Sequence, residues 1–134
     1  MQEWALWALA SAVFAALTAI FAKVGLEGVD SNFATFIRTL IIAAALILFL
    51  TYAKKWQPIG ELSARNWLFL TLSGLATGAS WLAYFKALQI GSASQVAPVD
   101  KFSVVLVVVF AVMFLGERPS VREWLGIALI ASGV

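Results

Sequence analysis

The sequence predicts an all-α, polytopic membrane helix bundle of about five transmembrane helices, and three observations predict it. Of the 134 residues, 63% are hydrophobic and only 12% are charged, about half the charged share of an ordinary soluble domain. The apolar residues fall in five runs, 4–22, 33–52, 67–90, 94–115 and 121–134, with the polar residues collected between them. The first four are near or above the roughly 20 residues that a helix needs to cross about 30 Å of hydrocarbon. Residues 1–134 therefore read as a single transmembrane domain in a lipid bilayer.

The first run, 4–22, is interrupted only by Ser11 and Thr18. Glu3 precedes it and no Lys or Arg does, whereas a cleaved signal peptide opens on a basic region; a retained helix is the reading. Ala8, Ala12 and Ala16 fall four apart on one face, where small residues admit a close neighbour. A short polar connection with Gly25, Gly28 and Asp30 follows, and Asp30 or Ser31 is placed to cap the second helix. Arg38 lies about 7 Å into the 33–52 run at helical rise. Its head can snorkel to the boundary or face a water-filled vestibule. Lys54, Lys55, Gln57, Pro58, Gly60, Glu61 and Arg65 form the most polar loop.

The third run carries Gly74 and Gly78 in a G-x-x-x-G arrangement, which in an apolar helix marks close packing on a partner in this chain or another. Its second half mixes aromatic rings with polar tips. Trp81, Tyr84 and Leu88 share a face at i, i+3 and i+7, either as an interfacial belt or as a wall facing solute. The stretch Gly91-Ser92-Ala93-Ser94 allows only a tight turn, so the third and fourth helices form an antiparallel hairpin.

The stretch QVAPVDKFSVVLVVVFAVMFLGER, 95–118, dominates the chain. Phe102 to Leu115 gives only about 21 Å of helix, so the helix must begin earlier and draw Asp100 and Lys101 into the bilayer. A central Asp or Lys costs about 2.5–3.5 kcal/mol on insertion scales and each Val, Leu or Phe returns about 0.3–0.6. The pair is thus expected near one end, turned to protein or water. Pro98 removes a backbone donor and makes a hinge. Gly116, Glu117, Arg118, Pro119 and Ser120 end the helix and form a short loop. The last run, from Val121, gives about 20 Å; either the chain is clipped there or this helix leans on its neighbours.

Several functions are excluded by composition. Without Cys or His there is no thiol chemistry and none of the commonest metal ligands, and no nucleophile-base constellation of an enzyme is visible. No cofactor or metal is expected. A net charge of +2 built from few charges lacks the dense basic stripe of a nucleic-acid binder. No G-x-x-x-x-G-K-[ST] phosphate loop is present, so nucleotide-driven work is not suggested. Lys54, Lys55, Arg65, Arg118 and Arg122 fall on the side of the amino terminus, which favours a cytoplasmic amino terminus. Counting Lys23, Arg38, Lys86 and Lys101 on the other side leaves five against four, a balance weak enough for both orientations to coexist.

The helix pair WLAYFKALQIGSASQVAPVDKFSVVLVVVFAVMFLGERPS with the following WLGIALIASGV, and the opening ALTAIFAKVGL with the Arg38 segment, resemble an EamA-type domain of the drug/metabolite transporter superfamily. The resemblance covers essentially the whole chain. Its most specific part is Leu115-Gly116-Glu117-Arg118 between two apolar helices, a cytoplasmic signature loop. Members commonly have ten helices in two halves of opposite topology, and this chain is similar to a single half. The resemblance implies a secondary transporter of small organic solutes or metabolites in the inner (plasma) membrane, often exporting. Alternating access around a midplane site is generally built from inverted repeats, so a homodimer, possible in antiparallel form, would replace the two halves.

The candidate pathway residues are Asp100, Lys101, Lys86, Arg38, Trp81 and Tyr84, with Gln95 and Ser103 as neutral hydrogen-bonding groups. The cations outnumber the acid, which suits a carboxylate or zwitterion; the rings argue for a cation. Asp100 is the candidate for proton coupling, because desolvation disfavours a charged carboxylate; a permanent ion pair with Lys86 or Lys101 is the alternative. A small multidrug-resistance exporter of cations is similar in size, but resembles a four-helix unit with an acid inside its first helix, and Ala5 to Ala22 has none. A non-transporting membrane assembly subunit is the other alternative.

Overall fold

A computed structural model describes residues 2–134, all of its regular structure helical. Helix α1 spans Glu3–Gly25, α2 Ser31–Ala53 and α3 Ala64–Ile90, with a 3-10 turn at Ile59–Glu61 before α3. The fourth crossing, Ala93–Leu115, is not one regular helix. It consists of α4 (Ala93–Asp100), α5 (Ser103–Phe110) and a π turn at Ala111–Leu115. Helix α6 spans Val121–Gly133. Four crossings, 3–25, 31–53, 64–90 and 93–115, are long and apolar enough to span a membrane. The 13 residues of α6 give about 20 Å.

The helix ends are set by local chemistry. The Asp30 carboxylate caps α2, accepting from the Asn32 and Phe33 N–H at 3.0 and 3.1 Å, which satisfies two of the donors every helix start leaves over. At the other end Lys54 turns into the left-handed region at φ 55° and donates its N–H to Leu50 and Thr51. Ser63 and Asn66 bond reciprocally at the start of α3. Ser120 and Glu123 make a full capping box at α6. Gly116, at φ 69°, ends the fourth crossing, in a conformation glycine adopts without strain. Inside the crossings, Thr18, Thr35, Thr39 and Thr51 donate to carbonyls four residues back, which spares these four hydroxyls from facing lipid unbonded.

The chain forms two compact units, one of Met1–Ala19 with Gly91–Val134 and one of Ile20–Ile90. Within Ile20–Ile90, α2 packs on α3 around buried Leu26, Ser31, Thr35, Phe85 and Leu88. Within the other unit, α5 packs on α6. Most large apolar side chains, among them Trp7, Phe14, Leu48 and Phe114, are exposed on the chain, as suits a solvent of lipid tails.

Candidate functional site

In the unit Ile20–Ile90, an arginine inside α2 meets an aromatic step on α3. Arg38 lies seven residues into α2, about 10 Å from its start. Its guanidinium carbon stands 4.6 Å from the ring centre of Trp81 and 4.9 Å from that of Phe85. The two rings are four residues apart, hence stacked on one helix face, and lie about 14 and 8 Å before the end of α3. Arg38 is half-buried, Phe85 buried and Tyr84 half-buried. A planar, delocalised cation laid on aromatic faces keeps its charge while shedding part of its water. This geometry takes the head of Arg38 across to α3.

The same end of this unit is tied by polar groups. Lys23, in the last turn of α1, donates to the Leu88 carbonyl of α3, one of the carbonyls a helix end leaves free for a basic side chain. Gln89 returns the tie, donating to Val29 at 2.6 Å and Leu26 at 3.5 Å in the α1–α2 connection. A cleft of about 260 Å³ opens among Lys23, Leu26, Glu27, Gly28 and Gln89. Lys86, on α3, is exposed.

Asp100 and Lys101 belong to the other unit, and the backbone there is irregular. Asp100 ends α4, and Lys101 and Phe102 form the turn before α5. The Lys101 N–H donates to both Ala97 and Pro98, and Phe102, Val104 and Val105 donate three residues back, the tighter 3-10 pattern. The sequence places the irregularity at Pro98 itself; Pro98 stays inside α4 and the helix breaks three residues later, at Lys101 and Phe102. Asp100 is about 11 Å into a crossing of about 34 Å, a third of the way through. Asp100, Lys101, Gln95 and Ser103 are exposed on the chain.

The signature loop borders a second cleft of the same unit, about 580 Å³, lined among others by Val108, Ala111, Glu117, Arg118, Glu123 and Ile127. The Glu117 N–H donates to Ala111. Within Ile20–Ile90, nothing lies within 4 Å of where a Cβ would sit on Gly74 or Gly78, so the G-x-x-x-G face makes no close crossing there.

The sequence reading does not single out Phe85, Lys23 or Gln89. Phe85 has a signal, since it stands four residues after Trp81. Lys23 and Gln89 have none, because their acceptors are backbone carbonyls, which every sequence supplies.

Comparison with known proteins agrees with this architecture. The profile of the EamA-like transporter family matches residues 2–134. An uncharacterized transporter in the cobO 3' region of Sinorhizobium sp is 55% identical over 132 residues, covering 98% of this chain and 94% of that protein. The uncharacterized transporter YxxF of Bacillus subtilis is 27% identical over 130 residues, 96% of this chain but 40% of that protein. A probable 4-amino-4-deoxy-L-arabinose-phosphoundecaprenol flippase subunit, ArnE, of Yersinia pestis is 33% identical over 83 residues, 61% of this chain and 73% of that protein. No solved structure matches. The chain is a multi-pass membrane protein of the transporter class, and it belongs to the EamA-like transporter family.

Proposed function

We propose that this chain is one half of a dimeric secondary transporter in the inner membrane that moves small organic solutes outward by alternating access, with a cytoplasmic amino terminus and no enzymatic step. The observation that carries the reading is the break at Lys101 and Phe102, directly after Asp100. Irregular backbone and ionised side chains at membrane depth are tolerated only against protein or a water-filled cavity, and here they are exposed on the chain. A second protomer supplies the missing wall. The length of the Bacillus relative supports this, since nearly all of this chain matches less than half of it. The open Gly74 and Gly78 face is a surface on which such a partner can pack closely.

In this reading Asp100 takes up and releases the coupling proton, Lys101 and Lys86 set the local charge, Tyr84, Gln95 and Ser103 offer hydrogen bonds to solute, and the joint after Pro98 permits the crossing to bend. The purified protein in liposomes should support solute flux without a partner, and Asp100→Asn should abolish coupling to a proton gradient while the protein stays folded. Uptake unchanged by Asp100→Asn removes the proton relay. Cysteine placed at Lys55 and labelled from outside intact cells tests the antiparallel arrangement; labelling confined to one side in every molecule refutes it.

A second reading is favoured by one observation, that the Yersinia relative is named a flippase subunit. A subunit would give flux only with its partner present, and the same liposomes decide between the two.

A further inference from the structure

We infer that the ring-stacked guanidinium of Arg38 is an oxyanion site, so that the solutes taken by this protein carry a carboxylate or a phosphate; the inference rests on the transporter reading for what happens after binding.

An aromatic wall in a membrane crevice ordinarily attracts cations. Here the faces that would do so are covered. Arg38 lies over Trp81 and Phe85 at 4.6 and 4.9 Å, and a cationic solute approaching those rings meets a positive charge of the protein. The wall therefore works as a seat for a fixed cation and selects against the ligands the bare rings would favour.

Stacking also decides what the guanidinium can do. Both contacts bring its central carbon over a ring, and the group carries five N–H donors in its own plane. A guanidinium held between two rings has less rotamer freedom left to lose when its fork closes on two oxygens, which is the bidentate geometry of carboxylate and phosphate recognition. Phe85 is buried and cannot swing away easily, so the seat is fixed from α3.

The charges around the seat point the same way. Lys86 follows Phe85 directly, and Lys23 reaches the end of α3 at Leu88. Of the acids near this end of the unit, the Asp30 carboxylate is occupied with the Asn32 and Phe33 N–H, and Glu27 lines the cleft with Lys23 in the α1–α2 connection. An arginine about 10 Å inside a crossing is costly without a counter-charge, and a solute oxyanion supplies one each time it binds.

The test is equilibrium binding to the purified full chain, read as thermal stabilisation and as a titrated dissociation constant. The probes are inorganic phosphate, benzoate and, as an aromatic lipophilic cation, tetraphenylphosphonium. Nanodiscs of phosphatidylcholine with and without phosphatidylglycerol distinguish a lipid headgroup from a free solute. Phosphate or benzoate should raise the melting temperature of the wild type. Arg38→Met should weaken that binding by about tenfold or more, the scale of a lost charge-assisted pair, and Arg38→Lys, which keeps charge but not the fork, should fall between. Trp81→Leu leaves the guanidinium in place with half its seat and serves if Arg38→Met does not fold; it should weaken anion binding about threefold to tenfold. Stabilisation by phosphatidylglycerol alone, lost in Arg38→Met, keeps the oxyanion site and assigns it to a headgroup. Equal anion binding by wild type and the folded variants overturns the site, as does stabilisation by tetraphenylphosphonium in its place. Arg38-dependent binding without flux in liposomes refutes the transporter reading and leaves the site standing; flux indifferent to Arg38 does the reverse.

Discussion

Removing Trp81 should cost this protein more than removing the charge that sits on it. Arg38 lies over two rings, and each such contact is worth about 0.5–1 kcal/mol when exposed and about 2 when desolvated. Trp81→Leu strips one ring from a half-buried charge and should destabilise by about 1–2 kcal/mol. Arg38→Met loses both contacts but also removes a charge whose insertion costs up to about 2.5–3.5 kcal/mol at the bilayer centre. Those terms nearly cancel, so Arg38→Met should lie within about 1 kcal/mol of wild type. The double variant should then resemble Arg38→Met, giving a coupling of about 1–2 kcal/mol between the two positions. Unfolding in mixed micelles, followed by circular dichroism on all four proteins, measures the cycle. A coupling below about 0.5 kcal/mol, or a loss above about 2 kcal/mol in Arg38→Met alone, refutes the picture of a charge held by its rings and makes Arg38 a packing residue.

Four further outcomes follow from the geometry. Ser120→Ala breaks the capping box with Glu123 and should cost about 0.5–2 kcal/mol, seen as faster hydrogen exchange in the first turn of α6. Gly116→Ala must hold φ 69° with a Cβ and should lose about 1–2 kcal/mol, read as a lower melting temperature in detergent. Gln89→Leu removes the donor to Val29 and Leu26; it should cost about 1 kcal/mol and expose residues 26–30 to proteolysis. A Cβ added at Gly78 meets nothing within its own unit, so Gly78→Ile should leave thermal stability of the chain unchanged while crosslinking of the dimer proposed above is lost; unchanged crosslinking takes this face out of the proposed interface.

The crossings were the most legible part of the chain. Length and apolar content mark a membrane helix without reference to any neighbour, which is why the runs 33–52 and 67–90 sit inside α2 and α3 with ends displaced by at most three residues. The displacements have a cause: Ser31, Asn32, Arg65 and Asn66 are polar but fall in the first turns set by the capping groups Asp30 and Ser63. The broken fourth crossing was legible only in part. Pro98 announces irregularity, but where the backbone yields depends on the bonds made by the following residues, and the π turn at Ala111–Leu115 lies in a uniform apolar run with no side chain to announce it. At the candidate site, Arg38 and Trp81 stood out as a charge and a ring at membrane depth. That they meet is a matter of which faces of α2 and α3 pack together, and periodicity within one helix is silent on that.

The joint at Lys101 and Phe102 divides a crossing into pieces, of which the first, α4, is eight residues long and thus about 12 Å. A rod of that length pivoting by about 20° sweeps its tip through about 4 Å, while the stretch beyond the elbow stays anchored. Tilting of one tip therefore does not require the remainder of the rod to slide through lipid, and the carboxylate and ammonium groups ride at the fulcrum, where displacement is least.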